Sequence, residues 1–329
     1  MSASHESLRP VKVDRPATAA DDPRVGTLFA QRLNDSTRGV IVGFPVDEGV
    51  RRNGGRPGAA EAPAAIRHWL HRMTPDPRDD GRMAALLART IDLGDVAAGG
   101  DLEQDQARLG EAIAPHLEAG RTVIVLGGGH ETAFGVFLGH VAAGRRSFIV
   151  NLDAHADVRP LREIDGVPRG HSGSPFRQAI EHASAACAGY AVAGLQATAV
   201  AAAHHDWMRS RGATPSFIDE LPRDADGRLD PLAAMPPWKS PADDRHASIM
   251  ATLDLDAVEA CSAPGVSAPT PAGLPVDSWL AAAERLGADP RVASLDLVEL
   301  SPPHDPDGRT ARLAALTVWR FLRGWSGRA

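Results

Sequence analysis

Two short acidic stretches about a hundred residues apart carry side chains suited to chemistry. The first is Asp153-Ala-His155-Ala-Asp157 and the second is Asp254-Leu-Asp256. Each follows an apolar run, 147–152 and 247–253, that reads as a buried strand. Strand side chains alternate, so 153, 155 and 157 are expected on one face, and likewise 254 and 256. Four carboxylates gathered on one spot repel. At about 4 Å each pair costs roughly 4 kcal/mol at an effective dielectric near 20. Two divalent cations would neutralise them. His130 follows three glycines directly after the apolar run 122–126 and is a further candidate ligand. Alone it would be an ordinary hydrogen-bonded loop histidine. The glycines do not make a phosphate cradle, because no Lys-Ser/Thr follows and there is no G-x-G-x-x-G.

The expected ligand set is therefore His130, Asp153, His155, Asp157, Asp254 and Asp256. Hard oxygen donors with some imidazole and no sulfur suit Mn²⁺ better than Zn²⁺ or Fe²⁺. Six side chains for two ions imply bridging carboxylates. Two metals roughly 3.5 Å apart acidify a shared water, so the expected chemistry is hydrolysis. The other histidines read as structural or solvated: His204 and His205 beside Asp206 at an Ala-rich helix end, His68 and His71 as a surface pair, and His171, His246 and His304 singly.

Strands must position these residues. Apolar runs predict strands at 39–44, 84–91, 122–126, 148–153, 189–194, 248–254 and 292–298, separated by helical stretches such as 102–119 and 312–325. Alternation of this kind argues a mostly parallel sheet with helices on both faces. Gly127–Glu131, Asp153–Asp157, Asp254–Asp256 and Glu299 each follow or end a predicted strand, which directs chemistry to one sheet edge. Residues 1–24 read as a mobile N-terminal arm, and 25–329 as a single catalytic domain. The Pro/Asp-rich stretch 222–244 reads as a surface connection within it.

The chain has 329 residues, 43% hydrophobic and 23% charged, with a net charge of −7, an ordinary globular balance without a basic footprint for nucleic acid. Two cysteines, Cys187 and Cys261, make neither a disulfide framework nor a thiolate metal site. The first residues are charged, without the apolar core of a secretory signal. The uncharged stretch 183–203 is mostly Ala and Gly and lacks the density of a membrane span. The expectation is a cytoplasmic protein with no nucleic-acid or membrane partner.

GGGHE at 127–131, NLDAHAD at 151–157 and TLDLD at 252–256 resemble, in order, the metal signatures of the ureohydrolases, the family of arginase and agmatinase. Finer motifs resemble its formimidoylglutamase branch: VRRNGGRPG (50–58), DVRP (157–160), SGSPF (172–176), APGVSAP (263–269) and RTARLA (309–314). The resemblance implies a three-layer α/β/α fold with a mainly parallel eight-stranded sheet and two Mn²⁺ ions. It places His130, Asp153, Asp157, Asp254 and Asp256 on one ion or between both. His155 serves the second ion with Asp153, Asp254 and Asp256. Asp157 and Glu299 are the implied catalytic residues, Asp157 as hydrogen-bond acceptor and proton carrier, Glu299 as the holder of an amidine end. Arg159 and Ser172 are implied substrate-binding residues, Arg159 because a guanidinium grips a carboxylate bidentately; Arg56 is placed at the mouth.

This sequence departs from the pattern at Ala156, where the branch has an aromatic, at His171, at Ser301 before Pro302, and at Phe176, which stands where arginases place a proton-shuttling histidine. The implied activity is hydrolysis of N-formimidoyl-L-glutamate, a small amidino acid, to L-glutamate and formamide in histidine degradation. Two alternatives are another ureohydrolase acting on a guanidino or amidino acid, and an inactive arginase-fold binding protein; a turnover assay over a substrate panel separates them. A nicotinamide enzyme fits the strand–helix pattern but lacks the glycine fingerprint. For assembly, the resemblance allows a homo-oligomer.

Overall fold

The computed structural model describes residues 8–11, 19, 21–239 and 247–328. Its strands, in chain order, are β1 (Leu8–Arg9), β2 (Gly39–Gly43), β3 (Thr90–Val96), β4 (Thr122–Leu126), β5 (Ser147–Leu152), β6 (Arg162–Ile164), β7 (Val167–Arg169), β8 (Cys187–Leu195), β9 (Thr214–Phe217), β10 (Ser248–Asp254) and β11 (Val292–Val298). Nine of them form one sheet in the order β1-β3-β2-β4-β11-β10-β5-β8-β9, while β6 and β7 make a separate hairpin. Eight of the nine run parallel; β1 pairs antiparallel with β3, Leu8 opposite Val96. The expected eight strands are thus joined by a ninth from the N-terminal arm, two residues long and too short to leave a pattern.

Strand alternation builds a core on each face. Ile124 and Leu126 of β4 point to one layer, with Val150 of β5 and Ala251 of β10. Val123 and Val125 point to the other, with Ile149 and Met250. The helices Ala62–Leu70, Val276–Ala288 and Arg309–Ser326 cover the first face. The last begins earlier than expected, because both Asp305 carboxylate oxygens accept backbone protons, Oδ1 from Thr310 at 3.1 Å and Oδ2 from Ala311 at 2.8 Å. Helices Leu102–Glu118 and Thr132–Ala142 cover the other face. This is the expected three-layer α/β/α arrangement.

One strand lies elsewhere than predicted. Residues 84–87 belong to a helix, Arg82–Leu87, whose Met83, Leu86 and Leu87 are buried. The strand is β3, whose Asp92 and Asp95 pair with the buried Arg67 at 2.7 and 2.5 Å. Two acids in a buried strand obscure it in sequence. The same network accounts for His71, which is buried rather than part of a surface pair, edge-on to Phe29 and 3.7 Å from Asp92; His68 is exposed. Among the described residues no helix is long and apolar enough to cross a membrane.

Candidate metal centre

The four adjacent strands β4, β11, β10 and β5 lie at the middle of the sheet, where the chain order switches direction. Their carboxyl ends supply His130, Glu299, Asp254 with Asp256, and Asp153 with His155 and Asp157. All six predicted ligands converge there. His130 Nδ1 lies 3.2 Å from Asp153 Oδ2, 3.0 Å from Asp157 Oδ2 and 3.0 Å from Asp254 Oδ2. His155 Nδ1 lies 3.0 Å from Asp256 Oδ2 and 3.6 Å from Asp153 Oδ1. Two donor groups result, His130–Asp153–Asp157–Asp254 and Asp153–His155–Asp256, and Asp153 belongs to both. In this geometry Asp254 groups with His130 and Asp256 with His155.

The convergence comes from turns, not from the strand pleat. β5 stops at Leu152 and β10 at Asp254. Asp153 Oδ1 accepts the His155 amide at 2.7 Å, and Asp254 Oδ1 accepts the Asp256 amide at 2.8 Å. Each D-x-H or D-x-D step is therefore an Asx turn, a local closure that Asp favours. One oxygen of each Asp locks the turn and the other faces the ligand cluster. Asp157 and Glu299 complete the edge with left-handed backbones, φ +46° and +66°. Such conformations cost about 1–3 kcal/mol each in non-glycine residues and concentrate at functional sites. At Gly128 a Cβ would lie 1.8 Å from the Val46 carbonyl, so only glycine lets the His130 loop cross there.

A polar row lies one strand step below the ligands. Asn151, Thr252 and Asp296 are in register across β5, β10 and β11. Asn151 Nδ2 donates to Asp153 Oδ2 at 3.0 Å. The Thr252 hydroxyl donates to Asp296 Oδ1 at 2.5 Å, so its oxygen accepts from His130 Nε2 at 3.0 Å. That bond assigns a proton to Nε2 and turns Nδ1 toward the carboxylates. The sequence alone does not mark Thr252 or Asp296 as part of the site, since only register brings them beneath His130. Thr252→Val should weaken metal binding by about 10–100-fold, with Thr252→Ser restoring it. Competition with a chelator at fixed pH measures this; an unchanged affinity for the Val variant would refute the relay.

The donors fit hard divalent cations. Nδ1 of His130 is buried and no carboxylate oxygen lies in line to make a hydrogen bond, although three sit at 3.0–3.2 Å. Polar atoms this close without a hydrogen bond between them suit a divalent cation shared by all four groups. Without cations the cluster retains protons. Burial pushes the Asp157, Asp254 and Asp256 carboxyls up, and neighbouring Asp charges add to it. Burial alone would push the His130 imidazole down, but Asp153, Asp157 and Asp254 outweigh it and hold it well above its usual range. His155 is raised chiefly by the charge of Asp256.

Glu299 is buried, and its Oε1 accepts the His130 amide at 2.8 Å. Burial, then Glu131 and Asp256, push it up to about 8. Glu131 is fully buried and its Oε1 accepts from the Gly49 amide at 2.7 Å, tying the ligand loop to helix Glu48–Asn53. Two residues beyond Asp157, Arg159 is exposed and makes no ion pair with a described residue, while Asn53 Nδ2 donates to Ser172 Oγ at 3.1 Å. Arg56 is held as a staple, donating to the carbonyls of Val266 at 2.6 Å and Ser267 at 3.0 Å. His171 is a loop clamp, its Nδ1 accepting from Gly173 and its Nε2 donating to the Pro160 carbonyl. His304 bonds Ser301, and His246 lies outside the described residues.

Phe176 packs edge-on against His130, ring centroids 5.1 Å apart, and stacks on Tyr190 at 4.6 Å. It seals the inner side of the ligand rather than carrying protons. Ala156 is buried, its carbonyl accepting from the Tyr190 hydroxyl. A cavity of about 470 Å³ opens on His155, walled by Gln196, Thr198 and residues 268–272. A larger one, about 960 Å³, lies away from these ligands, between 76–82 and the helices Val276–Ala288 and Arg309–Ser326. Its Arg78, Arg285, Arg320 and Arg323 are paired with Asp76, Asp230 and Glu284, and it carries none of this chemistry.

Comparison with known proteins agrees with the geometry. Residues 37–323 match the model of the arginase family. The chain is 40% identical over 283 residues to a formimidoylglutamase of Geobacillus thermodenitrificans, covering 84% of this chain and 80% of that one. It is 39% identical to one of Nocardia farcinica, covering 86% and 85%. A crystal structure of Trypanosoma cruzi formiminoglutamase with Mn²⁺ superposes with a TM-score of 0.80 at 28% identity, covering 94% of this chain and all of that one. The formimidoylglutamase of Bacillus subtilis shares the fold, with a TM-score of 0.81 at 21% identity over 97% of each chain. With residues 37–323 matched and relatives at 39–40% identity over most of its length, the chain belongs to the arginase family.

Proposed function

We propose that this protein hydrolyses N-formimidoyl-L-glutamate to L-glutamate and formamide with a pair of Mn²⁺ ions. The observation that carries the reading is Asp153, which faces both donor groups and makes them one dinuclear site. His130, Asp153, Asp157 and Asp254 would hold one ion, and Asp153, His155 and Asp256 the other. When bound, the pair supplies charge neutralisation and an acidified water. Its oxygen- and nitrogen-rich donor set favours manganese.

The protein's own groups do the rest. Asp157 is the least buried of the four Asp ligands, 11% exposed at the side chain, and stands where a proton from water can be taken and passed on. Glu299 keeps one oxygen on the His130 amide, and its other oxygen receives no hydrogen bond from a described residue, which suits it to accept N–H from an amidine. Water adds its oxygen to the formimidoyl carbon. The bond from that carbon to the glutamate nitrogen breaks, and the nitrogen leaves with a proton. Arg159, exposed and without an ion pair among the described residues, suits a carboxylate at the far end of the substrate, with Ser172 nearby. The reading takes 25–329 as one catalytic unit acting on a small molecule in the cytoplasm.

The test is a panel of N-formimidoyl-L-glutamate, arginine, agmatine and guanidino acids with the Mn²⁺-loaded protein. Turnover of the first alone is expected. Arg159→Ala should raise KM for it by about 10–100-fold with little change in kcat, the pattern of a lost binding contact. Turnover of arginine or a guanidino acid in place of formimidoylglutamate would sink the substrate assignment.

A further inference from the structure

We infer that Asn53 is a specificity-determining residue that completes, with Arg159 and Ser172, a three-donor grip for a substrate carboxylate. The inference rests on the acidic substrate proposed above and adds a residue to it. Helix Glu48–Asn53 ends at Asn53 because Gly54 turns left-handed there, at φ +81°. Both ends of the helix are anchored. Gly49 donates to Glu131, the residue next to ligand His130. Arg52 pairs with Glu103 at 2.7 Å and donates to the Gly170 carbonyl at 3.1 Å. Asn53 is therefore held at a fixed position relative to the ligands on one side and the 170–174 loop on the other.

Its amide fixes a direction of hydrogen bonding. Asn53 Nδ2 donates to Ser172 Oγ at 3.1 Å. With its oxygen used as an acceptor, the Ser172 hydroxyl keeps its own proton to give, and no described residue takes it. No described residue takes the second N–H of Asn53 either. Arg159 reaches the same place. A Cβ on Gly173 would lie 3.0 Å from Asn53 Nδ2 and 3.3 Å from Arg159 Nε, so both side chains close over this glycine. The Arg159 amide donates to the Gly173 carbonyl at 2.8 Å, which zips the two segments together.

The nearby acids Glu48 and Glu103 are both engaged by Arg52. That leaves a guanidinium, an amide N–H and a hydroxyl proton together. A carboxylate has about four lone-pair sites and can take a bidentate Arg pair plus one bond from each of the others. An ammonium or a neutral end group would leave these donors unanswered.

The experiment compares Mn²⁺-loaded wild type with Asn53→Ala, Asn53→Asp, Ser172→Ala and the Asn53→Ala/Ser172→Ala double variant. Readouts are kcat and KM for N-formimidoyl-L-glutamate, Kd for L-glutamate by calorimetry, bound manganese and Tm. Asn53→Ala should raise KM and the glutamate Kd roughly tenfold, and Asn53→Asp about 100-fold, because its charge repels the ligand and captures the Ser172 proton. Manganese content and kcat should stay near wild type. The double variant should lose less than the product of the single losses, since Asn53 acts partly through Ser172.

KM and Kd for Asn53→Asp within about twofold of wild type would overturn the grip, as would a loss in kcat alone or a wild type to which glutamate does not bind. If wild type fails to turn over formimidoylglutamate but binds glutamate more tightly than Asn53→Asp does, the hydrolase reading falls and the grip stands.

Discussion

Asp153→Asn is expected to lower kcat/KM for N-formimidoyl-L-glutamate by about 10³-fold and to leave fewer than two manganese ions per chain. Asp153 is the side chain common to both donor groups. Its Oδ2 faces His130 and takes a hydrogen bond from Asn151, while Oδ1 closes the turn to His155. An amide at 153 removes a negative charge from a cluster that needs it to hold cations. It also puts an N–H where Asn151 or the His155 amide already donates. Two charge-assisted contacts at about 1.5–3 kcal/mol each, divided by 1.36 kcal/mol per decade, give roughly 10²–10⁴ in rate. Asp256 belongs only to the His155 donor group, so Asp256→Asn should spare the ion beside His130. Steady-state kinetics with elemental analysis of the same samples decide the matter. An Asp153→Asn protein that keeps two ions and activity within about tenfold of wild type would remove the basis for a shared centre.

This prediction draws on residues that the sequence already marks. Asp153, His155, Asp157, Asp254 and Asp256 are legible because β5 and β10 are continuous apolar runs that end abruptly in ligand-type side chains. A carboxylate inside a buried strand needs a partner, so in β5 and β10 the abrupt change from apolar to acidic residues marks the sheet edge. Convergence was legible too, but not its cause, since an Asx turn and a strand pleat both bring i and i+2 together. The turn leaves its trace only in the Asp Oδ1 bonds to the 155 and 256 amides.

What was illegible depends on partners far along the chain. Thr252 looks like any strand threonine until Asp296 stands beside it in register and His130 above it. Asn53 lies 119 residues from Ser172. The apolar pattern places β3 too early because Asp92 and Asp95 look unlike strand residues until Arg67 answers them. β9 is an edge strand with Pro215 in it, a position that tolerates a missing N–H but hides the strand in sequence. Local pattern finds elements whose burial is apolar and uniform. It misses those whose polar side chains are neutralised by tertiary contacts.

Cation removal should destabilise the protein more at pH 8 than at pH 5.5. The groups responsible agree in sign. In the cation-free cluster, the carboxyls of Asp157, Asp254 and Asp256 are raised, first by burial. A raised carboxyl costs nothing below its unfolded pKa near 4, where both states hold the proton. As pH rises above that value the unfolded chain releases its proton and the folded chain does not, so stability falls until the folded pKa is passed. The imidazoles of His130 and His155 are also raised. They stabilise the folded chain below the ordinary histidine pKa near 6.5, and that contribution is lost as pH climbs toward the folded value. Asp153 is shifted down despite its burial, through His130 and His155, and so acts only below about pH 4, outside this window. Bound cations replace the protons and remove the share of the slope that these five side chains contribute, so the Tm of loaded protein should vary less over the range. Protein freed of metal by dialysis, and verified by elemental analysis, should melt lower than loaded protein at both pH values, with a gap several degrees wider at pH 8. Equal gaps, or a wider one at pH 5.5, would mean that these five side chains do not compete with protons for a common pair of ions.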